Sequence, residues 1–349
     1  DWRHDMPERS TVTLADVAER AGVSLATASR ALNGSTRKVR QESLDRVHAA
    51  AQELRYTANV QAQAVARGTT TTLALVVGDI ADPYFAAIAA GAIRAADEAG
   101  LVVTITSTGG DASREQEVLA VVAGLRPRAV VLAVSRRLGA ASDTGAAVQA
   151  LAAGGAGVAA LVSDLDGGSV PGVEGLVIRN LSGAAALAGA LVEQGHDSFA
   201  VLAGDPTLAT AHARYEGFVA GLAAHGLSVP DRWVVPSAFT RDGGHQAMET
   251  LLDAAAGGAA PLPRCVFAVT DLMAVGALAA IRERGLVPGV DIGVAGFDDV
   301  RMLADVVPAL STVRLPLEDI GARAVRRALG TDTGGAVDGE VVLRASTAR

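Results

Sequence analysis

The sequence is poor in cysteine, aromatic rings and lysine, and each shortage narrows what it encodes. Cys265 is the single cysteine, which excludes a disulfide framework and a cysteine-built zinc site. It opens an apolar strand and reads as core rather than nucleophile. Aromatic residues are 3% of the 349, so each needs a reason to be there. Lys38 is the only lysine among 30 basic residues, which points to a GC-rich genome rather than to function. Half the residues are hydrophobic and a sizeable core is expected, yet no apolar run approaches the roughly 18 residues of a membrane span. No secretion signal opens the chain, so a cytoplasmic location is expected.

Catalytic and cofactor signatures are also missing. There is no Walker loop, no GxSxG elbow and no HExxH. GAGVAA (155–160) fits GxGxxA, but its glycines follow a helical stretch and lead into a strand, the reverse of a dinucleotide fingerprint. His4, His48, His196, His212, His225 and His245 show no metal-ligand spacing and read as surface or turn residues. No enzyme activity, cofactor or metal is expected.

What is present is uneven. Net charge is −8, but residues 1–68 hold ten basic and eight acidic residues, a balance of +2 that leaves −10 on the other 281. A slightly basic head on an acidic body points to a head that meets a polyanion. Residues 1–10 are polar and aperiodic and read as a disordered arm.

Residues 11–57 read as three short helices. Leu14–Ala21 places Leu14, Val17, Ala18 and Ala21 on one face, with Thr13 as N-cap and Gly22 as stop. Ser24 caps a second helix, Leu25–Leu32. A basic loop leads to a third, Gln41–Leu54, whose inner stripe is Leu44, Val47 and Ala51. Two short helices joined at a tight glycine turn, with a third to cover them, form a helix-turn-helix. Residues 58–71 form a connector with a marginal helix inside it.

From Thr72 the pattern changes. Apolar runs at 73–77, 101–106, 129–134, 158–162, 199–203, 265–269 and 291–296 alternate with helical stretches. Those stretches are Phe85–Ala99, Ser113–Ala123, Ala184–Gln194, Tyr215–His225, Gly243–Ala255, Leu272–Arg284 and Glu318–Leu329. Continuous apolar strands alternating with helices mean parallel sheets covered on both faces. The expectation is an all-α head and an α/β core of two Rossmann-like lobes, with a ligand at the strand ends between them.

LADVAERAGVSLATASRALNG (14–34) and VRQESLDRVHAAAQELRYTAN (39–59) resemble the DNA-binding signature of the LacI/GalR family of bacterial transcription regulators. The likeness continues through DIADPYF (79–85), LVEQGHDSFAVLAG (191–204), ARYEGF (213–218), VTDLMAVGALAAIRERGL (269–286), GVAGFDD (293–299) and LSTVRLPLEDIGARA (310–324). It covers nearly the whole chain.

The resemblance implies a homodimer whose recognition helices, here Leu25–Leu32, enter the major grooves of a pseudo-palindromic operator. Leu25, Ala26, Ser29 and Arg30 fall at base-facing positions, where Arg30 can fork onto a guanine. Thr13, Ser24, Thr27, Asn33 and Asn59 fall at positioning contacts or caps. The connector resembles a hinge helix that wedges an apolar residue into the minor groove. Val65 stands where leucine is usual, and Ala58 where proline is. The core resembles periplasmic sugar-binding proteins, and the effector positions carry over to Asp82, Tyr84, Phe85, Asp164, Arg214, Phe239, Thr270, Asp271 and Asp298. The two phenylalanines would sandwich a flat ring, and Arg214 with Asp298 would fork onto adjacent hydroxyls. Leu208 and Ala211 would line the same pocket. The core would divide into lobe 1 (about 72–178 and 312–327) and lobe 2 (about 179–311 and 328–349). Absence of leucine heptads after residue 343 implies a dimer with no added tetramerisation helix. A solute-binding protein would share the core but not the head; a nucleoside- or purine-responsive co-repressed regulator would share both.

Overall fold

The computed structural model describes residues 12–33, 39–57, 70–135, 143–165, 172–258 and 261–349. The chain divides into two compact units, Asp1–Thr70 and Thr71–Arg349. The expected arm and the connector residues 58–69 lie outside the described residues.

In the first unit, helices α1 (Leu14–Ala21), α2 (Leu25–Asn33) and α3 (Gln41–Glu53) begin and end on local signals. The Thr13 hydroxyl and Asp16 carboxylate form a reciprocal capping box on α1. Gly22 ends the helix in the left-handed region (φ 61°), which favours glycine. Ser24 Oγ then accepts from Thr27 N–H at 3.2 Å and starts α2. Val17, Ala18, Ala21, Ala28, Ala31, Val47 and Ala50 make a small core, and an Arg20–Glu53 ion pair ties α1 to the end of α3.

The second unit runs β1 (Thr72–Val77), α4 (Pro83–Glu98), β2 (Val102–Ser107), α5 (Ala112–Leu125), β3 (Ala129–Ala133), α6 (Asp143–Ala153), β4 (Gly157–Ser163) and β5 (Glu174–Ile178). These strands form a parallel sheet in the order β2-β1-β3-β4-β5. Lobe 2 follows with α7 (Asn180–Glu193), β6 (Phe199–Gly204), α8 (Ala209–Ala223), β7 (Val234–Pro236), α9 (Arg241–Ala256), β8 (Cys265–Ala268), α10 (Asp271–Glu283) and β9 (Gly293–Ala295). Its parallel sheet is ordered β7-β6-β8-β9, repeating the arrangement of the first four strands of lobe 1. A short antiparallel pair, β10 (Thr312–Arg314) and β11 (Glu340–Val342), flanks α11 (Leu317–Ala328), which returns to pack on α4.

Burial explains the apolar runs. Leu73, Leu75 and Val77 of β1 join one core cluster, while Ala74 and Val76 join another with Val118, Leu119, Val122, Val148 and Leu151. A strand buried on both faces has no polar positions to alternate. Shortage of aromatics has a counterpart in close helix packing. A Cβ on Gly91 of α4 would lie 1.8 Å from the Glu318 carbonyl of α11, so the backbones meet directly.

The structure also corrects several element boundaries. Strands β5, β7, β10 and β11 were not expected, and α6 (Asp143–Ala153) gives bounds to the helical stretch expected ahead of Gly155. Three of those strands have only three residues, and β5 starts on Glu174-Gly175, so none makes an apolar run. The run at 291–296 narrows to β9. Helices α7 and α8 begin at Asn180 and Ala209, ahead of the expected Ala184 and Tyr215.

Candidate functional site

In the head, the outer face of α2 is open. Leu25 is 54% exposed and so is not used by the small core; Ala26 and Arg30 are exposed and Ser29 is half-buried. Thr13, Ser24 and Thr27 spend side-chain oxygens on helix caps, Ser24 Oγ and Thr27 Oγ1 lying 2.8 Å apart. Asn33 closes α2. Asn59 and Val65 lie outside the described residues.

In the core, the expected residues gather at the C-terminal ends of strands. Asp82, after β1, caps α4 by accepting from Tyr84 N–H at 2.9 Å. The Tyr84 and Phe85 rings meet edge-on with centroids 5.0 Å apart. Phe85 lies over Gly78 at the end of β1, and Phe239 lies over Gly204 at the end of β6. The two lobes thus place one ring each at equivalent strand ends, and at both places a glycine leaves room for it.

Arg214 of α8 is 2% exposed. Its Nε donates to Asn180 Oδ1 (2.9 Å), Nη1 to the Val269 carbonyl (2.8 Å) and Nη2 to Asp298 Oδ1 (2.7 Å). Phe297 packs its ring face 4.0 Å from the guanidinium carbon. Arg214 and Asp298, expected to fork together onto a ligand, are therefore also paired with each other.

Thr270 caps α10 through Met273 N–H, and Asp271 is fully buried. Both Asp271 oxygens are engaged, by Thr312 Oγ1 (2.6 Å) and by Val300 N–H (2.9 Å), so its carboxylate braces the loop that carries Asp298. Asp298 and Asp299 both have positive φ (119° and 53°), which is uncommon for residues with a side chain. The pair point apart. Asp298 faces Arg214, whereas Asp299 binds Arg314 of β10 and Arg344 beyond β11, each at 2.7 Å.

Burial dominates the electrostatics. It raises the Asp82, Asp271 and Asp298 carboxyls and the Tyr84 hydroxyl, and Arg214 pulls back on all four. Asp271 rises to about 6. The guanidinium of Arg214 is the positive centre of an acidic, aromatic cluster.

Lobe 1 reaches the first turns of two lobe-2 helices. Helices α7 and α8 have no side-chain cap of their own. Asp164, after β4, accepts from Leu181 N–H in the first turn of α7, 3.0 and 3.2 Å from its two oxygens. Ser135, after β3, donates to Thr210 Oγ1 (3.0 Å) and faces Thr210 N–H (3.4 Å) in the first turn of α8. Lobe 1 thereby supplies groups to orphan N–H donors of lobe 2.

Sequence reasoning missed Ser135, Asn180, Phe297 and Asp299. Asn180 lies ahead of the expected helix start, and Ser135 merely ends an apolar run; neither carries a local signal. It also misplaced two histidines. His196 is 3% exposed, with Nε2 3.0 Å from the Thr347 carbonyl, and burial lowers its pKa. His245 does form a ligand-like group with Glu249 and Glu283. Its Nε2 is 2.9 Å from Glu283 and its Nδ1 3.6 Å from Glu249, and Arg284 reaches Glu249 and Asp253, closing an ion-pair network between α9 and α10. Cys265 is fully buried, and burial pushes its thiol up to about 12, as suits a core residue.

Comparison with known proteins agrees with both units. Residues 13–59 match the bacterial regulatory proteins of the lacI family, and residues 188–348 match a periplasmic binding protein-like domain. The chain is 32% identical over 320 residues to the HTH-type transcriptional regulator GalR of Escherichia coli K12, covering 91% of this chain and 88% of that protein. It is 29% identical to the HTH-type transcriptional repressor CytR of Escherichia coli K12, covering 97% of each. Among solved structures, the lac repressor dimer bound to operator and the anti-inducer ONPF has a TM-score of 0.80 at 25% identity, covering 97% of this chain and all of the other. The complex of the transcriptional regulator CelR with cellobiose has a TM-score of 0.66 at 27% identity, covering 96% of this chain and 99% of the other. With a lacI-type head, a periplasmic-binding-protein-like core and a relative this similar along nine-tenths of its length, the chain belongs to the LacI/GalR family of DNA-binding transcriptional regulators.

Proposed function

We propose that this protein is a cytoplasmic, homodimeric repressor that binds a pseudo-palindromic operator and is controlled by a sugar or sugar derivative held between its lobes. The observation that carries the effector class is the buried Arg214–Asp298 pair over Phe297, set among Tyr84, Phe85 and Phe239. Hydroxyl groups donate and accept, and so suit an arginine beside carboxylates; the apolar face of a sugar ring suits an aromatic face. Arg214 has five N–H groups and commits three within the protein, which leaves two for a ligand. Asp82 and Tyr84 supply further polar contacts, while Thr270 and Asp271 brace the site. Asp164 stands where closure is made. No catalytic step and no cofactor belong to this reading.

On the operator, Leu25, Ala26, Ser29 and Arg30 face bases, with Arg30 reading guanine. Thr13, Ser24, Thr27, Asn33 and Asn59 set the register on the backbone, and Val65 enters the minor groove. Exposed apolar residues on β2 and α5 (Val102, Ile105, Val121, Leu125) and in lobe 2 (Val287, Val290, Met302, Val307) are where a second copy docks. The effector shifts the lobes, the hinges follow, and by linkage the operator changes effector affinity by the same factor.

The test is binding of the purified protein to a labelled fragment from upstream of its own gene. It is repeated with pentoses, hexoses, disaccharides and nucleosides at one fixed salt concentration. Release by a sugar is expected; gain of binding with a sugar makes that sugar a co-repressor. Response to a nucleoside alone overturns the effector class, and equal affinity for random DNA overturns the repressor.

A further inference from the structure

Asn180 opens α7, two residues after the last strand of lobe 1. It is 2% exposed. Its Oδ1 accepts from Arg214 Nε at 2.9 Å. Its Nδ2 lies 3.4 Å from both Ser163 Oγ and the Ile178 carbonyl. Those two acceptors end β4 and β5, so both belong to lobe 1. They decide how the amide faces: nitrogen toward lobe 1, oxygen toward Arg214. The other two anchors of Arg214, Val269 and Asp298, belong to lobe 2. A guanidinium is planar and rigid, so three anchors on its three nitrogens fix both its plane and its roll. Two anchors, both on the terminal nitrogens, leave the side chain free to pivot about them.

We propose that Asn180 is the positioning residue of the cleft: it sets the roll of the Arg214 guanidinium and ties that setting to the crossover by which the chain passes from β5 of lobe 1 into α7 of lobe 2. A change in crossover geometry is then carried to the group that meets the ligand. The consequence for effector binding rests on the function proposed above, but the geometry is testable without any ligand.

The experiment uses the full chain, labelled with ¹⁵N at arginine, and follows solvent exchange of the Arg214 Nε–H, assigned by its loss in Arg214→Lys. Asn180→Ala removes the acceptor, and exchange is expected to quicken by about tenfold or more, as for a lost hydrogen bond to a charged group. Asn180→Asp keeps an oxygen facing Nε while losing the amide donor, and exchange is expected within about twofold of the wild type. Unchanged exchange in Asn180→Ala overturns the proposal. Equal acceleration in both variants also overturns it, because general loosening of the first turn of α7 would then be the cause. If Asn180→Ala fails to fold, Asn180→Ser, whose hydroxyl is too short to reach Nε, takes its place with the same expected outcome. Titration of the same proteins with D-galactose, D-ribose, cellobiose and cytidine adds a second readout. A compound that binds the wild type is expected to bind Asn180→Ala about tenfold more weakly and Asn180→Asp nearly as well. If none binds, the effector class fails, while the exchange rates still decide the role of Asn180.

Discussion

Head and core solve one problem, the start of a helix, in opposite ways. In the head, α1 is capped by Thr13 and Asp16, and α2 by Ser24, all within three residues of the donors they satisfy. In the core, the first turn of α7 is met by Asp164 from 17 residues away, and that of α8 by Ser135 from 75 residues away, both in the other lobe. Local caps make the head a self-contained fold. Remote caps make the start of two lobe-2 helices depend on lobe closure. Arginine repeats the contrast: Arg30 stands exposed on α2, and Arg214 is buried and anchored by three protein groups.

The largest expected effect breaks that contrast at the two arginines. Arg214→Met leaves Asp298 buried without its partner, and a loss of about 3–5 kcal/mol in folding stability is expected. Arg30→Ala should stay within about 0.5 kcal/mol of the wild type in stability. Denaturant unfolding of both variants tests this. Equal stability losses would mean that Arg30 is structural or that Asp298 is relieved by protonation.

Next in size is the buried carboxylate. Asp271 has its carboxyl raised by burial from 3.8 to about 6, so the native state holds that proton more tightly than the unfolded chain does. Its contribution to stability is complete below the unfolded value, is lost as pH rises toward 6, and stays lost above it; this amounts to about 3 kcal/mol. Asp271→Asn cannot ionise. The variant should therefore gain on the wild type by about 2–3 kcal/mol between pH 4 and pH 7, measured by urea unfolding at each pH. A constant difference across that window would place the proton elsewhere in the Arg214 cluster.

The head offers a smaller effect of another kind. Arg30→Ala should lose about 1–3 kcal/mol of discrimination between operator and altered half-sites, with effector affinity unchanged. Competition binding at one salt concentration measures it. A uniform loss across all sequences would make Arg30 a phosphate contact.

The same contrast explains what could be read from the sequence. The three head helices were legible to within a residue, because Thr13, Gly22 and Ser24 stand beside the helices they delimit. The two-lobed α/β class was legible because strands buried on both faces leave long apolar runs. The starts of α7 and α8 were placed four and six residues late, and these are the helices whose caps come from far along the chain. Asp82, Arg214 and Asp298, which the fold brings together, were singled out by resemblance alone. Asn180, which holds Arg214, and Asp299, which holds Arg314 and Arg344, were not, since neither spacing nor periodicity marks a partner 34 or 45 residues distant.

The smallest expected effect sharpens the comparison most directly, because it makes one chemical change in both regions. Ser24→Ala removes a local cap, and about 1 kcal/mol of head stability should go with it. Ser135→Ala removes a hydroxyl of the same kind at the first turn of α8, but the group lies in the other lobe. Global unfolding should therefore shift by no more than about 0.5 kcal/mol, since an open cleft lets water meet the same donors. Hydrogen exchange at the Thr210 amide should rise instead, with the amides of α10 unchanged as an internal reference. If Ser135→Ala destabilises the whole core as much as Ser24→Ala destabilises the head, the lobes do not part in the native state, and the remote caps are ordinary structural contacts. If only the Thr210 region loosens, the native protein already samples the open cleft, and an effector has two states to choose between.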